Sequence, residues 1–179
     1  MKRSRKLLIL TLILMALICG VLVVTLLQPE ETVDVPTETA LIPITTDQIT
    51  SMSWTYKGET VSVIRAESGW AYADDPSVLL ADTKLHAMAL DLVGASASRV
   101  ITEPDVLSSY ELDAPICEIT VTTEDQTYSI AIGGTSAISG AHFLSTGDGF
   151  VYVEGTSTLL DTFSVTLDDI RIKEELTES

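Results

Sequence analysis

Residues able to act as nucleophiles, bases or soft metal ligands are few and widely separated in this chain. It contains two cysteines, Cys19 and Cys117, and two histidines, His86 and His142. Zinc sites draw such residues from pairs a few positions apart, and none of these four has such a neighbour. The sequence also lacks the Gly-x-Ser-x-Gly pattern of a nucleophile elbow. We therefore predict no catalytic residues, no metal site and no bound cofactor.

Carboxylates are the other possible source of chemistry. Asp74-Asp75 and Asp168-Asp169 would bind calcium if folding brought further oxygen atoms near them, but neither pair has the spacing of an EF-hand loop. We expect both pairs to be solvated loop residues. A hydrolase can also use two carboxylates that meet only in space. With 26 acidic residues in the chain, the sequence identifies no particular pair.

Three glycines, Gly133, Gly134 and Gly140, follow an apolar stretch and suggest a phosphate-binding loop. Such a loop needs a Lys-Ser or Lys-Thr pair after it and a helix whose N-terminus faces the phosphate. The sequence after Gly140 offers neither of these, so we expect an ordinary loop at the edge of a sheet.

The N-terminal segment predicts a membrane anchor. Leu7–Leu27 is an uncharged, largely apolar run that, as a helix of ~1.5 Å per residue, is about 31 Å long and can span a bilayer. No cleavage site of small residues follows the run, so we expect an anchor that is retained, with cleavage as the alternative. A lipoprotein cysteine needs a small residue before it. Cys19 follows Ile18, so we expect an unmodified cysteine.

The distribution of charge predicts the orientation of this anchor. Four basic residues precede the run, and basic flanks stay in the cytoplasm. They are Lys2, Arg3, Arg5 and Lys6. The remainder then carries the other six basic residues and all 26 acidic ones, a formal charge of −20. Such a domain repels nucleic acid and favours cations or a basic partner surface, although acidity can also serve solubility alone.

We divide the chain into three segments. Residues 1–27 are the cytoplasmic basic tip and the transmembrane anchor, and residues 28–40 are an acidic spacer that contains Pro29 and Pro36. Residues 41–175 form one extracytoplasmic domain. Because Cys19 lies in the predicted span, it cannot pair with Cys117, so the domain depends on its hydrophobic core alone.

Alternating apolar residues predict three β-hairpins in this domain. The first has Met52, Trp54 and Tyr56 on one strand and a turn at Lys57-Gly58, and a short strand around Trp70 extends it. In the second, Cys117, Ile119 and Val121 precede a turn at 124–126, and Tyr128, Ile130 and Ile132 follow it. The third turns at 147–149.

Two helices are predicted to pack on these strands. The longer one runs over residues 83–93, with Asp82 as its N-cap and Gly94 ending it in a left-handed conformation. Its apolar stripe comprises Leu85, Met88, Ala89 and Leu92, and His86 lies at the edge of this stripe. A short closing helix at 156–163 is capped by Thr156 or Ser157. The prediction is an α+β fold in which a transmembrane helix precedes a hairpin-rich antiparallel domain.

Four stretches of the exported part resemble, in order, the recurring pattern of the domain of unknown function 4340 family. They are GWAYADDPSVLLADTKLHAMALDLVGASASRVI, YELDAPICEITV, YSIAIGG and GFVYVEGTSTLLDTF, and the resemblance extends roughly over residues 41–173. The resemblance implies a bacterial envelope protein with an N-terminal membrane segment and no established catalytic residues. Some members are encoded beside the transport components of a gliding-motility-associated ABC system. Glu111 stands where the pattern has glycine, which argues against a left-handed turn there.

These observations lead to one functional hypothesis and two alternatives. We expect a single-pass membrane protein that acts outside the cell as a non-enzymatic binding or adaptor module. Its partner would be an envelope protein, such as an ABC transporter component, rather than nucleic acid. The first alternative is an envelope-polymer hydrolase or ligand sensor that uses carboxylates in a cleft. The second is self-assembly through an exposed strand edge.

Overall fold

The computed structural model describes residues 38–155 and 159–172. The predicted anchor at Leu7–Leu27 lies outside the described residues, as do Thr156 and Ser157, the predicted caps of the closing helix. Within the two described ranges, no helix is long and apolar enough to cross a membrane. The first strand begins at Thr39, inside the segment that the sequence assigned to the spacer.

In the described part of the chain, nine strands form one antiparallel sheet in the order β1-β5-β9-β8-β7-β6-β2-β3-β4. The strands are β1 Thr39–Ala40, β2 Ile49–Tyr56, β3 Glu59–Ala66, β4 Gly69–Tyr72, β5 Ser96–Ile101, β6 Cys117–Thr123, β7 Thr127–Thr135, β8 His142–Ser145 and β9 Val151–Glu154. The three predicted hairpins are β2-β3, β6-β7 and β8-β9. At the first turn, Lys57 and Gly58 both have positive φ (51° and 81°), which matches the twist of a tight hairpin.

One face of the sheet forms the core. Alternate residues of the central strands point to this face and are buried there. They include Met52, Trp54, Val61, Val63, Cys117, Ile119, Val121, Ile130 and Ile132. The indole of Trp54 contacts the ring of Phe163 edge to face at 5.7 Å between centroids, so a helix covers this side.

Three helices and two 3₁₀ helices complete the described elements. The helices are α1 Asp82–Val93, α2 Leu159–Phe163 and α3 Leu167–Ile170, and the 3₁₀ helices are Thr46–Gln48 and Leu107–Tyr110. The predicted stripe of α1 is confirmed, since Leu85, Met88, Ala89 and Leu92 are all buried. The fold is therefore α+β, with a large antiparallel sheet and a few helices.

The helix α1 ends at Val93 as predicted, but the predicted caps at its two ends are wrong. Ala81 is the N-cap residue and Asp82 is the first residue of the helix, because the Asp82 carboxylate binds elsewhere. Its Oδ1 accepts the backbone N–H of Trp70 at 2.9 Å. This bond occupies an outward N–H of the edge strand β4, where another strand would otherwise pair. Gly94 has φ −77°, so the helix ends without a left-handed residue and runs on towards β5.

Five described elements were not predicted: β1, β5, α3 and the two 3₁₀ helices. The strand β5 has the sequence SASRVI, and its small and polar residues do not show the alternation of a half-buried strand. Its pairing with β9 contains a bulge between Ala97 and Arg99, which also breaks the period.

A turn at Tyr110–Leu112 packs against β7, and this contact explains two of the glycines. Gly133 and Gly134 are buried inside β7 rather than in an edge loop, so the prediction is wrong for these two, whereas Gly140 lies in the loop between β7 and β8. A Cβ on Gly133 would lie 2.3 Å from the carbonyl oxygen of Tyr110. Glu111 is left-handed (φ 57°), contrary to the expectation from its side chain. The turn keeps this conformation because close packing on β7 outweighs the local preference.

Replacing Gly133 tests this contact. Gly133→Ala should lower the free energy of unfolding by about 1–3 kcal/mol, because the added methyl group meets backbone that cannot move aside. Gly134→Ala is the matched control. Its Cβ would meet the Glu111 side chain at 2.9 Å, and a flexible carboxylate can rotate away. Urea unfolding followed by tryptophan fluorescence measures both. Equal losses in the two variants would contradict the assigned contact.

Candidate functional site

An acidic cleft of about 230 Å³ opens at one end of the central strands. The 3₁₀ helix Thr46–Gln48 forms one wall and the β6-β7 turn forms the other. The lining residues are Asp47, Gln48, Thr50, Thr123, Glu124 and Asp125. The chain thus brings together carboxylates that lie more than 70 positions apart in the sequence.

Local hydrogen bonds hold both walls of the cleft. Thr45 and Gln48 form a capping box in which the Gln48 Oε1 accepts the Thr45 backbone N–H at 2.9 Å. Thr50 lies in a bulge of β2, and its Oγ1 donates to the Thr122 carbonyl oxygen at 3.0 Å. On the other wall, the Thr123 Oγ1 accepts the Gln126 N–H at 3.2 Å. The walls are therefore held by hydrogen bonds of neutral side chains, and none of these bonds involves the carboxylates that line the cleft.

Three exposed carboxylates, those of Asp47, Glu124 and Asp125, give the cleft its chemistry. Exposed acidic side chains around a concavity attract a cation through a field that extends about one Debye length, ~8 Å at physiological salt. Within residues 38–155 and 159–172, no group of three or more His, Cys, Asp or Glu side chains is arranged to hold a metal ion.

The aspartate pairs considered for calcium have structural roles. Asp75 accepts the Ser77 N–H at 3.0 Å and the Ser77 hydroxyl at 2.6 Å, and these bonds lower the pKa of the Asp75 carboxyl. Asp74 accepts the Tyr72 hydroxyl at 3.0 Å, which raises the pKa of Tyr72. In the second pair, Asp168 forms an ion pair with Arg171 at 3.1 Å.

The cysteine and histidines of the domain are placed apart. Cys117 is 1% exposed, and its burial raises the pKa of the thiol to about 11, so it is not a reactive thiolate at neutral pH. The His142 Nδ1 lies 3.1 Å from the Gly133 carbonyl oxygen, and His86 is exposed on α1. Cys117 is thus a core residue, His142 contacts the backbone of β7, and His86 lies on the exposed side of α1.

One buried carboxylate was missed by the sequence analysis. Glu154 is 3% exposed, and its Oε1 accepts the Leu159 N–H at 2.7 Å at the start of α2. Burial raises the pKa of Glu154, while the Leu159 N–H and nearby His142 partly offset this rise. No local pattern predicted this role, because the residue lies at the end of a strand and five positions before the donor.

Comparisons with protein-family models, with curated proteins and with solved structures found no match for this chain. Its function must therefore be inferred from its own residues.

The raised pKa of Glu154 gives a pH-dependent prediction. Folding destabilises the ionised form, so this residue's contribution to stability is complete below the unfolded-state pKa of about 4.5 and is lost as pH rises through the raised folded-state pKa. Glu154→Gln removes the ionisation and keeps an oxygen for the Leu159 N–H. The variant should be as stable as the wild type or more stable at pH 7, and lose this advantage near pH 4.

Thermal unfolding across this pH range measures the effect. Glu103→Gln, at an exposed position, is the control and should show little pH-dependent difference from the wild type. The opposite result would be a stability difference between Glu154→Gln and the wild type that turns against the variant as pH rises from 4 to 7. It would mean that the hydrogen bond from the Leu159 N–H stabilises the ionised carboxylate more than burial destabilises it.

Proposed function

We propose that this chain is a membrane-anchored, extracytoplasmic adaptor that binds a basic surface of an envelope protein. The observation that carries the proposal is the acidic cleft, which collects Asp47, Glu124 and Asp125 at the end of the sheet in a strongly acidic chain. A cleft with preset walls and exposed carboxylates favours recognition of a cationic side chain.

The structural roles of the other polar groups support binding rather than catalysis. Asp82 holds the edge strand, Glu154 caps α2, and Asp75 closes a turn. The thiol of Cys117 is buried among core residues. These groups are buried or form hydrogen bonds within the native structure. Catalytic acids and bases must instead be free to exchange protons with a substrate.

The proposed location rests on the sequence before the described domain. The uncharged run Leu7–Leu27, preceded by four basic residues, favours a single span with the N-terminus in the cytoplasm. The four ordered stretches that resemble the domain of unknown function 4340 family support the same envelope location. They also favour a place beside the components of an ABC transporter, and we include both points in the proposal.

The topology is testable with single cysteines. In a Cys19→Ser background, Ser139→Cys should react with a membrane-impermeant maleimide in intact cells, and Ser4→Cys should react only after lysis. Ser139 is exposed and Cys117 is buried, so the native Cys117 should contribute little background. Labelling of position 4 in intact cells would contradict the proposed orientation.

The partner is testable by crosslinking in intact cells of the native host. The wild type should recover a defined envelope complex, and Asp47→Lys/Glu124→Lys/Asp125→Lys should lose at least about tenfold of the recovered partner, since removal of close charge pairs costs a few kcal/mol. Glu67→Lys/Glu103→Lys/Asp105→Lys is the matched control, with the same change in net charge at exposed sites outside the cleft. An equal loss in both triple variants would contradict a role for the cleft.

The same cleft favours a second candidate, an envelope-polymer hydrolase that uses two of its carboxylates as acid and base. Purified full-length chain would be incubated with peptidoglycan, and soluble fragments would be measured. Hydrolysis by the wild type that is abolished by both Glu124→Gln and Asp125→Asn would favour the enzyme. Absence of fragments, with partner capture as above, would favour the adaptor.

A further inference from the structure

The face of the sheet that lies opposite the core carries a regular array of hydroxyl groups. The registers of β3, β2, β6 and β7 place twelve outward residues in three rows of four. The rows are Ile64, Ser51, Thr122 and Thr127; Ser62, Ser53, Thr120 and Ser129; and Thr60, Thr55, Glu118 and Ala131. We call these twelve residues the hydroxyl face.

Serine and threonine occupy nine of the twelve positions, although they make up 40 of the 179 residues of the chain. None of the twelve is buried, so the described chain leaves the hydroxyl face open. Strands lie ~4.8 Å apart, and same-face residues on one strand lie ~6.8 Å apart, which gives a face of about 14 Å by 14 Å. A solvated sheet face is usually polar, but it commonly carries charged side chains as well.

The hydroxyl face is almost free of charge in a strongly acidic protein. Glu118 is the one ionisable residue among the twelve. The acidic cleft adjoins the first row at the end of the strands, and because its field falls off over about one Debye length of ~8 Å, it is weakest at the third row. A partner recognised through charge would therefore bind at the cleft. The hydroxyl face instead matches a neutral partner.

An apolar and aromatic border follows the third row. Ile116 directly precedes the core residue Cys117 and is 39% exposed on the outer face. Phe143 stands on the same face of β8, opposite the buried Leu144, and contacts Tyr110 edge to face at 5.0 Å between centroids. Neutral hydroxyl groups are thus bordered by apolar surface.

We propose that the hydroxyl face binds an uncharged polysaccharide, with its hydroxyl array against the hydroxyl groups of the sugar chain and its apolar border against the C–H face of a sugar ring. Each serine or threonine hydroxyl both donates and accepts, as a sugar hydroxyl does. An extended peptide would pair with a strand edge rather than a face, and phosphate polymers are repelled by the net charge of −16. This binding surface is separate from the cleft of the proposed adaptor function and does not depend on it.

The test is calorimetric titration of the full-length chain with cellohexaose, chitohexaose and dextran, in a detergent without sugar head groups. We expect at least one of these neutral glycans to bind. Thr55→Val/Thr120→Val keeps the shape and strand preference of both residues and removes two hydroxyl groups. The affinity for that glycan should fall about tenfold, since each hydrogen bond has a modest net value.

Thr83→Val/Thr102→Val is the matched control, at exposed hydroxyls outside the face, and should bind within about twofold of the wild type, because a substitution outside the face removes no contact. Unchanged thermal unfolding of both double variants confirms that they are folded. The proposal is overturned if all three glycans fail to bind, or if the two double variants lose affinity equally. It is also overturned if light scattering shows a dimer of the wild type that Ser53→Lys abolishes, because the face would then bind a second copy of the chain.

Discussion

The burial of Trp54 is the interaction on which the other elements depend. Trp54 lies on β2 in the middle of the core face, is 1% exposed and contacts Phe163 of α2 edge to face. Its Nε1 donates to the Val165 carbonyl oxygen at 2.8 Å, so the indole also fixes the chain between α2 and α3. A large aromatic residue can occupy the centre of a core when its one polar atom forms a hydrogen bond. The contacts of Trp54 with α2 and with the segment after it then fix where the helices lie over the sheet.

The helix layer in turn determines which face of the sheet remains open. Asp91 of α1 accepts the Thr162 hydroxyl of α2 at 2.9 Å, and Lys84 of α1 donates to the Asp169 carbonyl oxygen of α3 at 3.0 Å. These bonds join the helices on the core side. On the other side, the turn at Tyr110–Leu112 packs over the glycines of β7. The hydroxyl face is the part of that outer surface which this turn leaves open.

The sequence predicts the parts of this fold that depend on local periodicity. The three hairpins and the stripe of α1 follow from spacings of two and three to four residues, and their core residues are buried as expected. The strand β5 was missed because its position depends on pairing with β9, more than 50 positions later. The cleft was missed for the same reason, since Asp47 meets Glu124 and Asp125 only through the pairing of β2 with β6.

Two misassigned residues show how tertiary contacts override local preference. Asp82 has the side chain of an N-cap, but its carboxylate satisfies the N–H of Trp70 in the neighbouring edge strand. Glu111 has no intrinsic preference for a left-handed backbone, but β7 presents two glycines that accept the turn at close range. In both cases the partner lies on another element, and the sequence around the residue carries no trace of it. The hydroxyl face could likewise not be predicted from the sequence. Its rows are defined by the register between strands, and each strand alone shows only ordinary polar alternation.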